Sequence, residues 1–183
     1  MNTELLEALT ILEEEKNISK DTMLDAMHKS TNKAINEIMD LKVLYRQVIM
    51  DHYKTPKNKG LKKADPYHLV HLTNPSCGDD MSVEIIVEND QVVDVRQDGK
   101  GCSICLSSAS VMSDLLIGKS VEEAKNIINN FYEMVKGNDD LDEEELGEAI
   151  AYKGVRDFPA RIKCATLAWK CVEKAIDEVS ENE

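Results

Sequence analysis

Apolar residues recur at helical spacing through the first fifty positions and alternate with polar ones only after residue 67. Leu5, Leu9 and Leu12 keep a three-to-four spacing, the mark of one buried helical face. Ser19 then precedes a second periodic run, Leu24, Met27, Thr31, Ala34, Ile38 and Leu41, as a predicted N-cap. A further helical stretch, Leu41 to Tyr53, is expected to stop between Lys54 and Gly60, where Pro56 and Gly60 interrupt it. Three strands follow: His68 to Thr73, Met81 to Glu88 with Val83, Ile85 and Val87 on one face, and Gln91 to Gln97 with Val93 and Val95. Asn89-Asp90 between the last two is a hairpin-turn signal.

Beyond Gly101 the period turns helical again. Ile104, Ser108, Val111 and Leu115 share one face, with Ser107, Ser108 and Ser110 as small packing residues. Ser120 is the predicted cap of a helix over Val121 to Lys136, which Gly137 ends. Seven acids then fall within ten residues, Asp139 to Glu148, and read as a solvated loop and short helix. A last helix starts near Pro159, a favoured first-turn residue, and runs to about Val179. The expected organisation is a helical acidic extension over residues 1–40 followed by one domain over 41–183.

Composition narrows the class. The chain has 183 residues and a net charge of −13, from 35 acids against 22 basic residues. That length buries a core without disulfides, and that charge disfavours nucleic acid and anionic membranes as partners. No apolar run reaches membrane-spanning length, and the N-terminus lacks a basic signal-peptide start. The expected compartment is the cytoplasm, where thiols stay reduced. Residues 1–40 hold nine acids against four lysines and no cysteine.

Three cysteines and one aspartate carry the candidate chemistry. Cys77 lies in Asn74-Pro75-Ser76-Cys77-Gly78-Asp79, Cys102 follows Gly99-Lys100-Gly101, and Cys164 follows Pro159-Ala160-Arg161-Ile162-Lys163. Three thiols and the Asp79 carboxylate make the four donors of one tetrahedral zinc site. Gly78 lets Asp79 turn back beside Cys77, and a helix start favours the Cys102 thiolate. Each cysteine taken singly also fits a small buried hydrophobe. Three in glycine- or proline-flanked turns, one with an acid two residues on, point instead to metal. Cys105 makes a Cys-x-x-Cys with Cys102, but no redox strand–helix unit precedes it, and its helical spacing suits either the site or the core. Arg161, one turn before Cys164, suits pairing with Asp79, support of a thiolate, or a surface salt bridge. His52, His68 and His71 have no ligand-like companion. Gly118-Lys119-Ser120 lacks the strand and glycine of a phosphate loop.

Leu44-Tyr45-Arg46-Gln47-Val48-Ile49-Met50-Asp51-His52-Tyr53, Asn74 to Asp79, Gly101-Cys102-Ser103-Ile104 and Phe158 to Trp169 closely resemble the SufU branch of the IscU-like iron–sulfur assembly proteins. The likeness runs from about residue 41 to 178. Lys163 stands where the IscU scaffold branch has histidine, and the long interval between Cys102 and Cys164 is also a SufU trait. The resemblance implies an α+β fold with a three-stranded antiparallel sheet packed by helices. It implies zinc held by Cys77, Asp79, Cys102 and Cys164, with Cys77 as the sulfur acceptor; Arg161, by its position one turn before Cys164, is expected to modulate transfer. The implied donor is the cysteine desulfurase SufS, whose pyridoxal phosphate is its own and whose histidine takes a place on the metal to free Cys77. The implied recipients are downstream iron–sulfur scaffold proteins. Cys105 stands where the family commonly has serine. Residues 1 to about 27 resemble the start of the transcription factor NusA. Two alternatives remain at this level: a scaffold that builds a [2Fe–2S] cluster, and an interaction module with structural zinc.

Overall fold

The computed structural model describes residues 9–11, 13 and 19–181. Leu5, Leu12 and the greater part of the NusA-like segment lie outside them. The chain divides into two compact units, Met1–Val43 and Leu44–Glu183. Among the described residues no helix is long and apolar enough to cross a membrane.

Helix α1 (Lys20–Lys54) runs unbroken for 35 residues across that division. The separate stretches expected on either side of Leu41 are therefore one helix, because no glycine or proline lies between Lys20 and Lys54. Ser19 does cap it, its Oγ accepting from the Thr22 N–H at 3.2 Å. Within the first unit, Asp25–Lys29 at 2.7 Å and Lys33–Glu37 at 3.9 Å are i,i+4 pairs along an exposed helix.

The second unit is built on an antiparallel sheet in the order β1 (His68–Asn74), β2 (Asp79–Glu88), β3 (Gln91–Lys100). The three strands fall where alternation predicts, but each pairing runs further toward the cysteines. Asn74 pairs with Asp79 and Asp80 with Lys100. Asn89 and Asp90 both adopt positive φ, 51° and 61°, as a two-residue hairpin turn requires. One expectation fails nearby: Val93 is exposed and Val92 is buried. The register shifts between Ile86 and Val87, and such a bulge rotates the facing residues by one.

Met81, Val83, Ile85 and Val95 turn inward onto α2 (Ser103–Leu116) and α5 (Pro159–Ser180). The α2 serines let α5 approach closely and are themselves satisfied. Ser108 Oγ donates to the Ala165 carbonyl at 2.7 Å and accepts from Trp169 Nε1 at 2.9 Å. Helix α3 (Val121–Lys136) begins with a reciprocal Ser120–Glu123 capping box and ends on Gly137 at φ 106°. Its Phe131 ring stacks on Trp169 at 4.0 Å and meets Tyr152 edge-on at 6.1 Å.

All seven acids of the acidic stretch are exposed, as expected, and only Leu146 within it is buried. Asp142 caps the short α4 (Glu143–Leu146), accepting from the Glu144 N–H at 3.0 Å. A 3-10 stretch, Gly147–Asp157, then buries Ala149, Ala151, Tyr152 and Val155. Its acids face outward while Leu146 and Tyr152 join the core, so the run of charge conceals a packed segment.

Phe131 is fully buried between Trp169 and Tyr152. Phe131→Ala should lower unfolding free energy by about 3–5 kcal/mol, read by urea denaturation followed through Trp169 fluorescence. A loss under about 1 kcal/mol would show that the aromatic stack does not organise this core.

Candidate metal centre

The turn between β1 and β2 brings the first donors together. The Cys77 and Gly78 N–H groups both donate to the Asn74 carbonyl, at 3.2 and 2.9 Å, and Gly78 sits at φ 70°. That tight reversal leaves Cys77 exposed on the turn and returns the chain so that Asp79, the first residue of β2, points inward. Asp79 is 1% exposed.

Two neutral donors hold its carboxylate. Asn74 Nδ2 donates to Oδ2 at 2.9 Å, and the Cys102 N–H donates to Oδ1 at 3.0 Å. Asn74 is itself buried, and its amide lies 3.5 Å from Cys164 Sγ. Gly101 makes this approach possible. A Cβ there would stand 2.7 Å from Asp79 Oδ1 and 3.2 Å from the Cys105 Cβ.

Cys164 arrives from α5, which Pro159 starts. Its thiol is buried, with the Ala160 carbonyl at 3.7 Å. Burial pushes the Cys164 thiol well up, and the adjacent Asp79 and Cys77 add to the shift. Cys77 Sγ, an Asp79 carboxylate oxygen and Cys164 Sγ all lie within 4.8 Å of one another. Two sulfurs on one tetrahedral zinc are about 3.8 Å apart, so the group is near the size of a coordination shell. No lysine, arginine or histidine forms an ion pair with Asp79 among the described residues. A buried carboxylate beside two thiols and without a counter-charge is costly, and this sulfur–oxygen–sulfur set suits a divalent cation such as zinc.

Cys102 stands at the N-terminal end of α2 with φ −69° and ψ 166°. Its backbone N–H holds Asp79, while its thiol is exposed and lies outside the converging three. Arg161 does not reach Asp79. Its guanidinium lies over the Phe158 ring at 5.1 Å and makes no ion pair among the described residues. The histidines are engaged elsewhere. His52 is buried between Ser110 Oγ at 2.7 Å and Glu148 at 2.9 Å, His68 meets Glu178 at 2.6 Å, and His71 meets Asp80 at 3.0 Å. Cys105 and Cys171 are fully buried. Burial raises both thiols, Cys171 to about 12, so both are inert at neutral pH.

Asn74 is the site residue that the sequence reading missed. Its only signal is the Asn-Pro turn dipeptide, which says nothing of an amide shared between a carboxylate and a thiol.

A family model for the NifU-like N-terminal domain matches residues 44–165. The chain is 44% identical over 137 residues to the zinc-dependent sulfurtransferase SufU of Bacillus subtilis (strain 168), covering 75% of this chain and 92% of that one. It is also 44% identical over 133 residues to the iron–sulfur cluster assembly scaffold protein IscU of Streptococcus pyogenes serotype M1, covering 73% and 82%. A solved candidate scaffold protein for the SUF system from Fervidobacterium islandicum AW-1 superposes with a TM-score of 0.64 at 35% identity, over 70% of this chain and 93% of that one. The chain belongs to the NifU-like N-terminal domain family, among the SufU and IscU iron–sulfur assembly proteins.

The cradle gives a direct test. Gly101→Ala places a methyl group 2.7 Å from Asp79 Oδ1, closer than contact allows, and should displace the carboxylate. Metal retained after dialysis against a chelator, measured by elemental analysis, should fall at least about tenfold in affinity, as loss of ligand support does. Wild-type retention in this variant would separate Asp79 from metal binding.

Proposed function

We propose that this family member is a zinc-holding sulfur acceptor, working in the cytoplasm, that takes persulfide sulfur from a cysteine desulfurase of the SufS type and passes it to iron–sulfur scaffold proteins. The observation that carries the reading is the convergence of Cys77, Asp79 and Cys164 with only Cys77 exposed. Cys102, whose backbone N–H already holds the Asp79 carboxylate, is the fourth donor in this reading. Zinc, when bound by these four, supplies the positive charge that offsets Asp79 and keeps the thiols deprotonated at neutral pH.

The residues divide the work by their mobility. Cys164 is fixed by α5 and Asp79 by two hydrogen bonds. Cys77 rides on a four-residue turn beside Gly78 and is free to face a partner. Its thiolate attacks the terminal sulfur of the donor persulfide. The donor's S–S bond breaks, a new S–S bond forms on Cys77, and the donor leaves as a thiolate. One persulfide is consumed and one made, so no external oxidant or reductant is needed. Asp79 is an oxygen donor in a mainly sulfur site and a harder ligand than thiolate, which suits a site that must release Cys77. Arg161, one turn before Cys164 and outside every ion pair among the described residues, offers a positive charge to the freed thiolate or the arriving persulfide. The acidic extension over residues 1–40 contains no cysteine.

The scaffold reading has its own support, since relatives of equal identity carry the scaffold name. The two readings part at Lys163, which offers no metal-binding imidazole. Intact-mass spectrometry after mixing with desulfurase and cysteine decides between them. The chain should gain one sulfur, mapped to Cys77, and Cys77→Ser should gain none while Cys105→Ser behaves as wild type. Sulfur on Cys105 would overturn the assignment. Purified protein with iron and a visible charge-transfer spectrum would favour the scaffold.

A further inference from the structure

Beside the cysteine turn, β1 and α5 enclose an open cleft of about 280 Å³. Leu72 and Leu167 are its apolar lining, and Pro75 and Ser76, immediately before Cys77, border it. The exposed Lys163 and Lys170 stand at its rim. Lys163, Leu167 and Lys170 are at i, i+4 and i+7 along α5, which sets them in one row facing the cleft.

The charge of this rim is unlike that of the molecule. The chain carries −13 overall, and much of its positive charge is spent internally. Lys125 pairs with Asp177 at 2.6 Å and Lys174 with Glu178 at 3.6 Å. Lys163 and Lys170 have no ion pair or hydrogen bond among the described residues and are exposed. Two exposed ammonium groups outside any ion pair among the described residues, beside the apolar Leu72 and Leu167 and next to the Cys77 turn, form a local attractor for negative charge. Such complementarity steers encounter and fixes register between proteins.

We propose that this cleft receives an acidic segment of the sulfur-donating protein, with an apolar side chain on Leu72 and Leu167 and carboxylates against Lys163 and Lys170. The inference rests on the sulfur-acceptor reading and names the face through which the donor docks. Docking here brings the partner alongside Pro75-Ser76, and hence beside Cys77, without touching the buried ligands Asp79 and Cys164.

The test measures binding of the full chain to the cysteine desulfurase at low and high salt. Lys170→Glu is the probe, because Lys170 is nearly two helical turns from Cys164. Lys174→Glu, on the same helix but outside the cleft, carries the same change of charge. Wild type should bind more weakly as salt rises. Lys170→Glu should weaken low-salt binding about tenfold, mainly through slower association, and should flatten the salt dependence. Lys174→Glu should stay within about twofold. Metal content should be unchanged in both. Wild-type binding by Lys170→Glu, or equal weakening by Lys174→Glu, would overturn the cleft as docking site while leaving the sulfur-acceptor reading standing. A wild-type chain that neither binds desulfurase nor takes its sulfur would overturn both.

Discussion

A carboxylate buried among sulfur atoms is the constraint around which this domain is arranged. Asp79 is taken out of water at the start of β2, and its hydrogen bonds come from an asparagine amide and one backbone N–H. Neither donor carries charge, so the penalty for burying the anion is only partly met. The neighbouring backbone conforms to that carboxylate. β1 and β2 pair right up to the turn that joins them, so that Asn74 faces Asp79. Gly101 withholds a side chain from the space the oxygen occupies. The start of α2 then turns its first N–H toward the same oxygen. A divalent cation held by Asp79 and the nearby thiols would supply the missing charge.

The rest of the second unit holds those parts still. Cys164 keeps its place because α5 packs against the small-residue face of α2, where the Ser108 hydroxyl joins the Ala165 carbonyl and the Trp169 indole. Trp169 in turn is stacked on Phe131, and Tyr152 closes the cluster. His52 joins α1 to α2 and to Glu148, a structural use of an imidazole that carries no metal chemistry. Rigidity is concentrated under Asp79 and Cys164, while Cys77 and Cys102 lie at the surface. That asymmetry is what the proposed sulfur-acceptor reading requires of a site that holds a metal and releases a sulfur nucleophile.

Much of this was legible from the chain alone. The strands, the Asn89-Asp90 turn, the Ser120 cap and the Pro159 helix start are local signals, and each appears at its position. The candidate donors were legible because cysteines in glycine- and proline-flanked turns are rare except where chemistry needs them. What escaped depends on distant partners or on contrast within a segment. Val92 replaces Val93 on the buried face because of a register shift set by the neighbouring strand. Leu146 to Val155 was masked by the acids around it, although Leu146, Tyr152 and Val155 recur at helical intervals. The break expected near Leu41 is absent because no residue there can make one. Asn74 was invisible because its role exists only once β1, β2 and α5 have met. The exposed Cys102 thiol shows the reverse case, a donor whose chemistry the sequence suggests and whose side chain stands apart from the converging three.

X-ray absorption at the zinc edge of the purified chain tests the central claim most directly, since it counts and identifies donors. The account predicts about three sulfurs near 2.3 Å and one oxygen near 2.0–2.2 Å, with the oxygen lost and the shell rearranged in Asp79→Ala. A shell of oxygen and nitrogen alone, or a shell unchanged in Asp79→Ala, would contradict it.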